Sequence, residues 1–133
     1  MDRLTPNRRS WLMSRVKGRD TTPELAVRRL LHALGYRYRL HVKTLPGKPD
    51  IVFGPRQKVI FIHGCFWHGH KCRKGRLPKS NTAFWTEKIV RNKARDRQHI
   101  KSLKAAGWQV LVIWQCQLKD PLAAQGRIVD FLA

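Results

Sequence analysis

Pro49-Asp50-Ile51-Val52-Phe53 and Lys58-Val59-Ile60-Phe61-Ile62-His63 are two short apolar runs separated by Gly54-Pro55-Arg56-Gln57. Their length, their β-branched and aromatic content and the Gly-Pro break between them predict a β-hairpin. Folding the pair about residues 54–57 sets Asp50 opposite Phe61 to His63, with one residue of play in the register. Aspartate is a poor strand former, so its place beside Ile51 needs a reason. It is either a metal ligand or the close of the turn Pro46-Gly47-Lys48-Pro49.

Working outward, Tyr36-Arg37-Tyr38-Arg39-Leu40-His41-Val42 alternates and predicts a half-buried strand. Ahead of it, Thr22-Pro23-Glu24 predicts a helix start, with Thr22 as cap, Pro23 in the first turn and Glu24 favoured by the dipole. Val27, Leu31 and Leu34 carry the helical period to Gly35, a natural stop. Beyond the hairpin, residues 64–80 are irregular and rich in His, Cys and basic residues. A long helix is expected from Asn81 or Thr82 to Ala106, then a strand over Trp108–Trp114, then a short helix from Pro121. The predicted order is helix, three strands, helix, strand, helix, which makes a small α/β domain with a mixed sheet.

The 133 residues fit one domain, 1–133, with a basic arm over residues 1–20. Against 28 Lys and Arg stand 8 Asp and Glu, a net charge of +20 that excludes an acidic solvating protein and points to a phosphate-rich partner. Five Trp and five Phe in regular apolar runs exclude a disordered basic tail. No stretch approaches the roughly 18 apolar residues that span a membrane. MDRLTPNRRS has no hydrophobic signal core, so a soluble, intracellular chain with no membrane partner is expected.

Three cysteines cannot complete a disulfide framework and are better read as thiols or metal ligands. His63-Gly64-Cys65-Phe66-Trp67-His68-Gly69-His70-Lys71-Cys72 gathers three His and two Cys. With Cys116 they offer zinc three thiolates and one imidazole, a closed structural set that would staple the segment to the sheet. Spacing does not choose between His68 and His70 as the fourth ligand.

Acids are scarce enough to examine one by one. Asp2, Asp120 and Asp130 lie near chain or helix ends and are read as surface. On the long helix Ile89, Asn92, Asp96, Ile100 and Leu103 recur at helical spacing, so Asn92 and Asp96 interrupt an inward stripe. Inward polar groups need partners. Glu24 shares its face with Val27, Leu31 and Leu34. Asp50, Glu24, His63, His68 and Asp96 together would suit metal-assisted phosphodiester hydrolysis, a histidine handling protons. Phe66-Trp67 and Phe84-Trp85 sit on a loop and a helix start, where they are either core or wedges between bases.

Thr21-Thr22-Pro23-Glu24, Leu45-Pro46-Gly47-Lys48-Pro49-Asp50, Phe61 to His68, Asn92 to Asp96 and Trp108 to Cys116 occur in the order found in the very short patch repair endonuclease family. The chain resembles that family over nearly its whole length, and His-Gly-Cys-Phe-Trp-His is the most specific string. The resemblance implies a restriction-endonuclease-like fold, a mixed sheet flanked by helices, with a zinc-stapled loop. It implies nicking of double-stranded DNA 5′ to the thymine of a T·G mismatch, the lesion left by deamination of 5-methylcytosine, in the cytoplasm beside the nucleoid. It assigns Asp50 to catalytic Mg2+ and His68 to proton handling, with His63, Glu24 and Asp96 in support. Cys65, His70, Cys72 and Cys116 become the Zn2+ ligands, and Phe66, Trp67, Trp85 and Met13 the DNA wedge. Restriction-type nucleases usually place a second acid and a lysine on the next strand. Here that strand reads Phe61-Ile62-His63, so the cation would take the Ile62 carbonyl instead. The resemblance also points to accessory mismatch-repair proteins as partners. The competing readings are a zinc-stapled nucleic-acid-binding module without catalysis and a restriction-type nuclease of other specificity.

Overall fold

A computed structural model describes residues 21–70, 72 and 80–133. Helix α1 (Thr22–Ala33) is followed by strands β1 (Arg39–Leu40), β2 (Ile51–Phe53) and β3 (Lys58–His63). Helix α2 (Thr82–Ala105), strand β4 (Gln109–Trp114), a 3-10 turn (Gln115–Lys119) and helix α3 (Pro121–Leu132) complete it. The strands lie in the order β1-β2-β3-β4. β1, β2 and β3 pair antiparallel, while β4 returns through α2 to pair parallel with β3. The sheet is thus mixed and flanked by helices, the architecture expected of a restriction-endonuclease-like fold. Among the described residues no helix is long and apolar enough to cross a membrane.

Side-chain alternation along the hairpin divides the core. Ile51, Phe53, Ile60 and Ile62 face one way and pack with Val27 and Leu31 of α1 and Ile128 and Leu132 of α3. Val52, Val59 and Phe61 face the other way and pack with Leu103 and Ile100 of α2. Burying both faces explains why β2 and β3 read as continuous apolar runs. Asp50, just ahead of β2, reaches Glu24 of α1, while His63 shares the parity of Val59 and Phe61 and comes to the α2 side. There α2 presents the expected stripe, with Ile89 and Leu103 buried and Asn92, Asp96 and Ile100 half-buried.

Two details depart from expectation. The cap of α1 is Thr21, whose Oγ1 accepts from the Glu24 amide at 3.4 Å, and Thr22 is already helical. Glu24 therefore sits in the first turn on the buried face. The seven-residue strand expected over 36–42 shrinks to Arg39–Leu40, both exposed. Tyr36 and Tyr38 still pack edge-on against Phe53, with ring centroids 6.2 and 6.3 Å away. His41 ends the extended run by adopting φ +50°, while its amide donates to the Asp50 carbonyl at 3.2 Å.

The last helix is held at its negative end. Lys58 Nζ donates to the Phe131 carbonyl at 2.6 Å and Arg56 Nη1 to the Leu132 carbonyl at 2.8 Å. A cation at a helix C-terminus opposes the macrodipole and satisfies carbonyls that have no helical partner. Lys58→Met should lower unfolding free energy by about 1 kcal/mol in urea titrations, with Lys58→Arg losing less. An unchanged midpoint for Lys58→Met would contradict the anchoring role.

Candidate active site and metal centres

A cleft of about 560 Å³ opens where the N-terminus of α1, the end of the hairpin and the middle of α2 meet. Glu24, Asp50, Ile62, His63, His68 and Asp96 all line it. The five predicted catalytic residues and the predicted carbonyl donor are therefore gathered in one place, although they come from four separate stretches of chain.

Asp50 stands just ahead of β2, with its Oδ2 accepting from the Ile62 amide at 2.7 Å. Glu24, only 3% exposed, faces it. Burial pushes the Asp50 carboxyl up to about 7; the Ile62 amide opposes that rise and the Glu24 charge adds to it. Behind Glu24 lies a pair that sequence reading missed. Arg28 Nη2 is 3.2 Å from Glu24 Oε2 and 3.0 Å from His41 Nε2, which is itself 3.3 Å from the same carboxylate oxygen. Glu24, His41 and Asp50 each offer a ligand atom within 4.8 Å of the others. The two carboxylates suit a divalent cation, while the His41 imidazole is already engaged by the Arg28 guanidinium. The one signal in the sequence was Arg28 four residues after Glu24, an ordinary helix pairing. Nothing local announced that His41 would turn back onto the same carboxylate.

Across the cleft, His68 Nδ1 lies 2.6 Å from Asp96 Oδ2. A carboxylate there fixes Nδ1 as the donor and leaves Nε2 for proton exchange. The His63 ring stacks on His68 at 3.8 Å with 2° between planes. Burial pulls the His63 imidazole down to about 4, the His68 charge adding to the fall and Asp96 opposing it. His63 is thus uncharged near neutrality.

Cys65, His70, Cys72 and Cys116 bring their ligand atoms within 4.8 Å of one another. The 3-10 turn after β4 supplies Cys116, whose amide donates to Cys65 Sγ at 3.3 Å and whose Sγ is 3.6 Å from His70 Nδ1. His70 stacks on Trp114 at 4.2 Å, while His68 turns to Asp96. Burial pushes the Cys65 thiol up to about 11; the Cys116 amide opposes this, and the Cys72 and Cys116 sulfurs reinforce it. Three thiols converging on one imidazole form a donor set that fits tetrahedral zinc, which would hold them as thiolates.

The aromatic residues form one cluster beside the cleft. Phe66, Trp67 and Trp85 meet edge-to-face with centroids 5.2 to 5.9 Å apart. Phe66 and Trp67 are half-buried, whereas Trp85 is 5% exposed and backs them. Asn92 Nδ2 donates to the Trp67 carbonyl at 2.8 Å, which ties the segment to α2. Phe84 projects outward, 50% exposed. Met13 and the rest of the basic arm lie outside the described residues.

The raised Asp50 carboxyl has a consequence for stability. Unfolded, it ionises near 3.8, but in the cation-free fold only near 7. Its proton is retained on folding, so stability declines as pH rises through that window and stays reduced above it. Asp50→Asn, which keeps an acceptor for Ile62, should melt above the wild type at about pH 8 without divalent cations and lose that advantage near pH 4. Equal melting at both would contradict burial as the controlling influence.

The model of the family described as DNA mismatch endonuclease Vsr matches residues 1–74. The chain is 55% identical over 131 residues to the type II nicking enzyme V.XorIIP of Xanthomonas oryzae, covering 98% of this chain and 96% of the relative. To the type II nicking enzyme V.NmeAIP of Neisseria meningitidis it is 45% identical over 127 residues, covering 96% and 91%. To the DNA mismatch endonuclease Vsr of Escherichia coli it is 43% identical over 111 residues, covering 84% and 71%. A family match over more than half the chain, and relatives aligned over most of their length, agree with the fold and with the gathered cleft: the chain belongs to the Vsr family of DNA mismatch endonucleases.

Proposed function

We propose that this chain nicks duplex DNA on the 5′ side of the thymine in a T·G mismatch, starting very short patch repair of deaminated 5-methylcytosine. Family membership makes it a DNA endonuclease. The mismatch, catalytic Mg2+, structural Zn2+, any accessory mismatch-repair proteins and a cytoplasmic setting beside the nucleoid belong to the finer reading.

One observation carries the catalytic part: a single cleft joins the Asp50–Glu24 pair to the His68–Asp96 pair. A binding module would gain nothing from two carboxylates facing each other in a partly desolvated cleft, where they repel. Asp50 would hold Mg2+ with the Ile62 carbonyl and Glu24 beside it. When bound, the ion neutralises charge on the scissile phosphate. His68, steadied by Asp96, takes a proton from the attacking water at Nε2. His63 stacks on that ring and restricts its rotation without adding a charge that would raise the barrier to protonation. Phe66 and Trp67, backed by Trp85, replace stacking lost when the weakly stacked mismatch opens, worth about 1–3 kcal/mol per base, with Met13 entering from the other groove. The net charge of +20 supplies the sequence-independent affinity for phosphates.

Two duplexes differing only in one T·G pair, each incubated with and without Mg2+, test the reading. Nicking is expected of the mismatched duplex alone and only with the ion. Equal nicking of both would favour a restriction-type nuclease of other specificity, and nicking of neither a zinc-stapled binding module. Zinc is expected at one per chain, lost together with melting temperature in Cys72→Ala. A variant that loses the metal but melts like the wild type would refute a structural role.

A further inference from the structure

Arg28 and His41 are not needed by the catalytic roles above, yet they close directly on Glu24. Arg28 can only donate, so its contact with His41 Nε2 at 3.0 Å makes that nitrogen an acceptor. The same guanidinium nitrogen, Nη2, reaches Glu24 Oε2 at 3.2 Å. One nitrogen with two hydrogens thus serves two acceptors, which explains why His41 Nε2 and Glu24 Oε2 tolerate a separation of 3.3 Å. The φ of +50° at His41 and its amide bond to the Asp50 carbonyl aim the imidazole at this point. Arg28 and His41 side chains are 17% and 16% exposed against 5% for Glu24, so the guanidinium charge is poorly screened.

We propose that His41 and Arg28 are positioning residues that set the cation affinity of the cleft. His41 holds the guanidinium against Glu24, and that fixed positive charge keeps the carboxylate pair together while weakening the hold on a divalent ion. Resting on the assignment of a cation to Asp50, this adds what regulates its binding. Removing the guanidinium has two effects of opposite sign. Without a cation, Glu24 and Asp50 lose the charge that Arg28 sets against them and the fold weakens. With a cation, a repulsion between positive charges is gone and binding tightens.

Mn2+ serves as the probe, its unbound fraction read by electron paramagnetic resonance on the zinc-loaded chain without DNA. Arg28→Met should bind Mn2+ about tenfold more tightly while melting lower than the wild type in the absence of the ion. Arg28→Lys, keeping the charge, should bind within about twofold of the wild type. His41→Leu should shift affinity in the direction of Arg28→Met, by less. A role confined to packing would lower the melting temperature and leave Mn2+ affinity unchanged or weaker in Arg28→Met, and that result would overturn the inference. A wild type that binds no Mn2+, or binds it equally well after Asp50→Asn, would overturn the cation assignment at Asp50 and this inference with it.

Discussion

Two carboxylates, the buried Glu24 and the half-buried Asp50, face each other in a chain with only eight acidic side chains. That contact costs free energy on its own, since burial and mutual repulsion both oppose ionisation. It persists because the neighbouring structure over-determines it. The hairpin register delivers the Ile62 amide to Asp50, the Thr21 cap places Glu24 in the first buried turn, and Arg28 supplies a counter-charge. The site is therefore built from backbone geometry as much as from side chains.

The second half of the cleft depends on a different kind of restraint. Between β3 and α2 the chain makes tight turns, with the His68 amide bonded to the Gly64 carbonyl at 3.2 Å and the His70 amide to that of Cys65 at 2.9 Å. Gly69 runs at φ +64° where an added Cβ would lie 2.6 Å from Ile89 Cγ2, so only glycine lets the segment press onto α2. Successive residues consequently point to different tasks. Trp67 and His68 turn to the cleft, while Cys65 and His70 turn to Cys116. A cluster that could hold a metal lies within a few residues of His68, so metal binding there would couple the order of the segment to the geometry of the cleft.

Much of this was legible in the sequence because it rests on local rules. The apolar runs at 51–53 and 58–63 fixed the hairpin, Gly35 ended the first helix, and the spacing of Asn92 and Asp96 put them on the inward stripe. The gathering of Asp50, Glu24, His63, His68 and Asp96 was foreseen from inward acids and sharpened by family resemblance. Alternation at 36–42 misled, because an edge strand gains little from its outer neighbour and the backbone turned at His41 to meet Glu24 instead. That turn is a tertiary effect. The side chains of Arg28 and His41 lie 13 residues apart in sequence and meet only because α1 and β1 converge on one carboxylate. Choosing His70 over His68 as the fourth ligand likewise needed three dimensions or kinship, because the two differ by one glycine-containing step.

The Asp50–Glu24 pair is proposed to hold a cation against the DNA backbone. The most direct measurement is anomalous diffraction from crystals of the zinc-loaded chain bound to a T·G duplex and soaked in Mn2+. A manganese peak within ligand distance of the Asp50 carboxylate and a phosphate oxygen is the expected result. A zinc peak at the cysteine cluster with no manganese at Asp50 would contradict it.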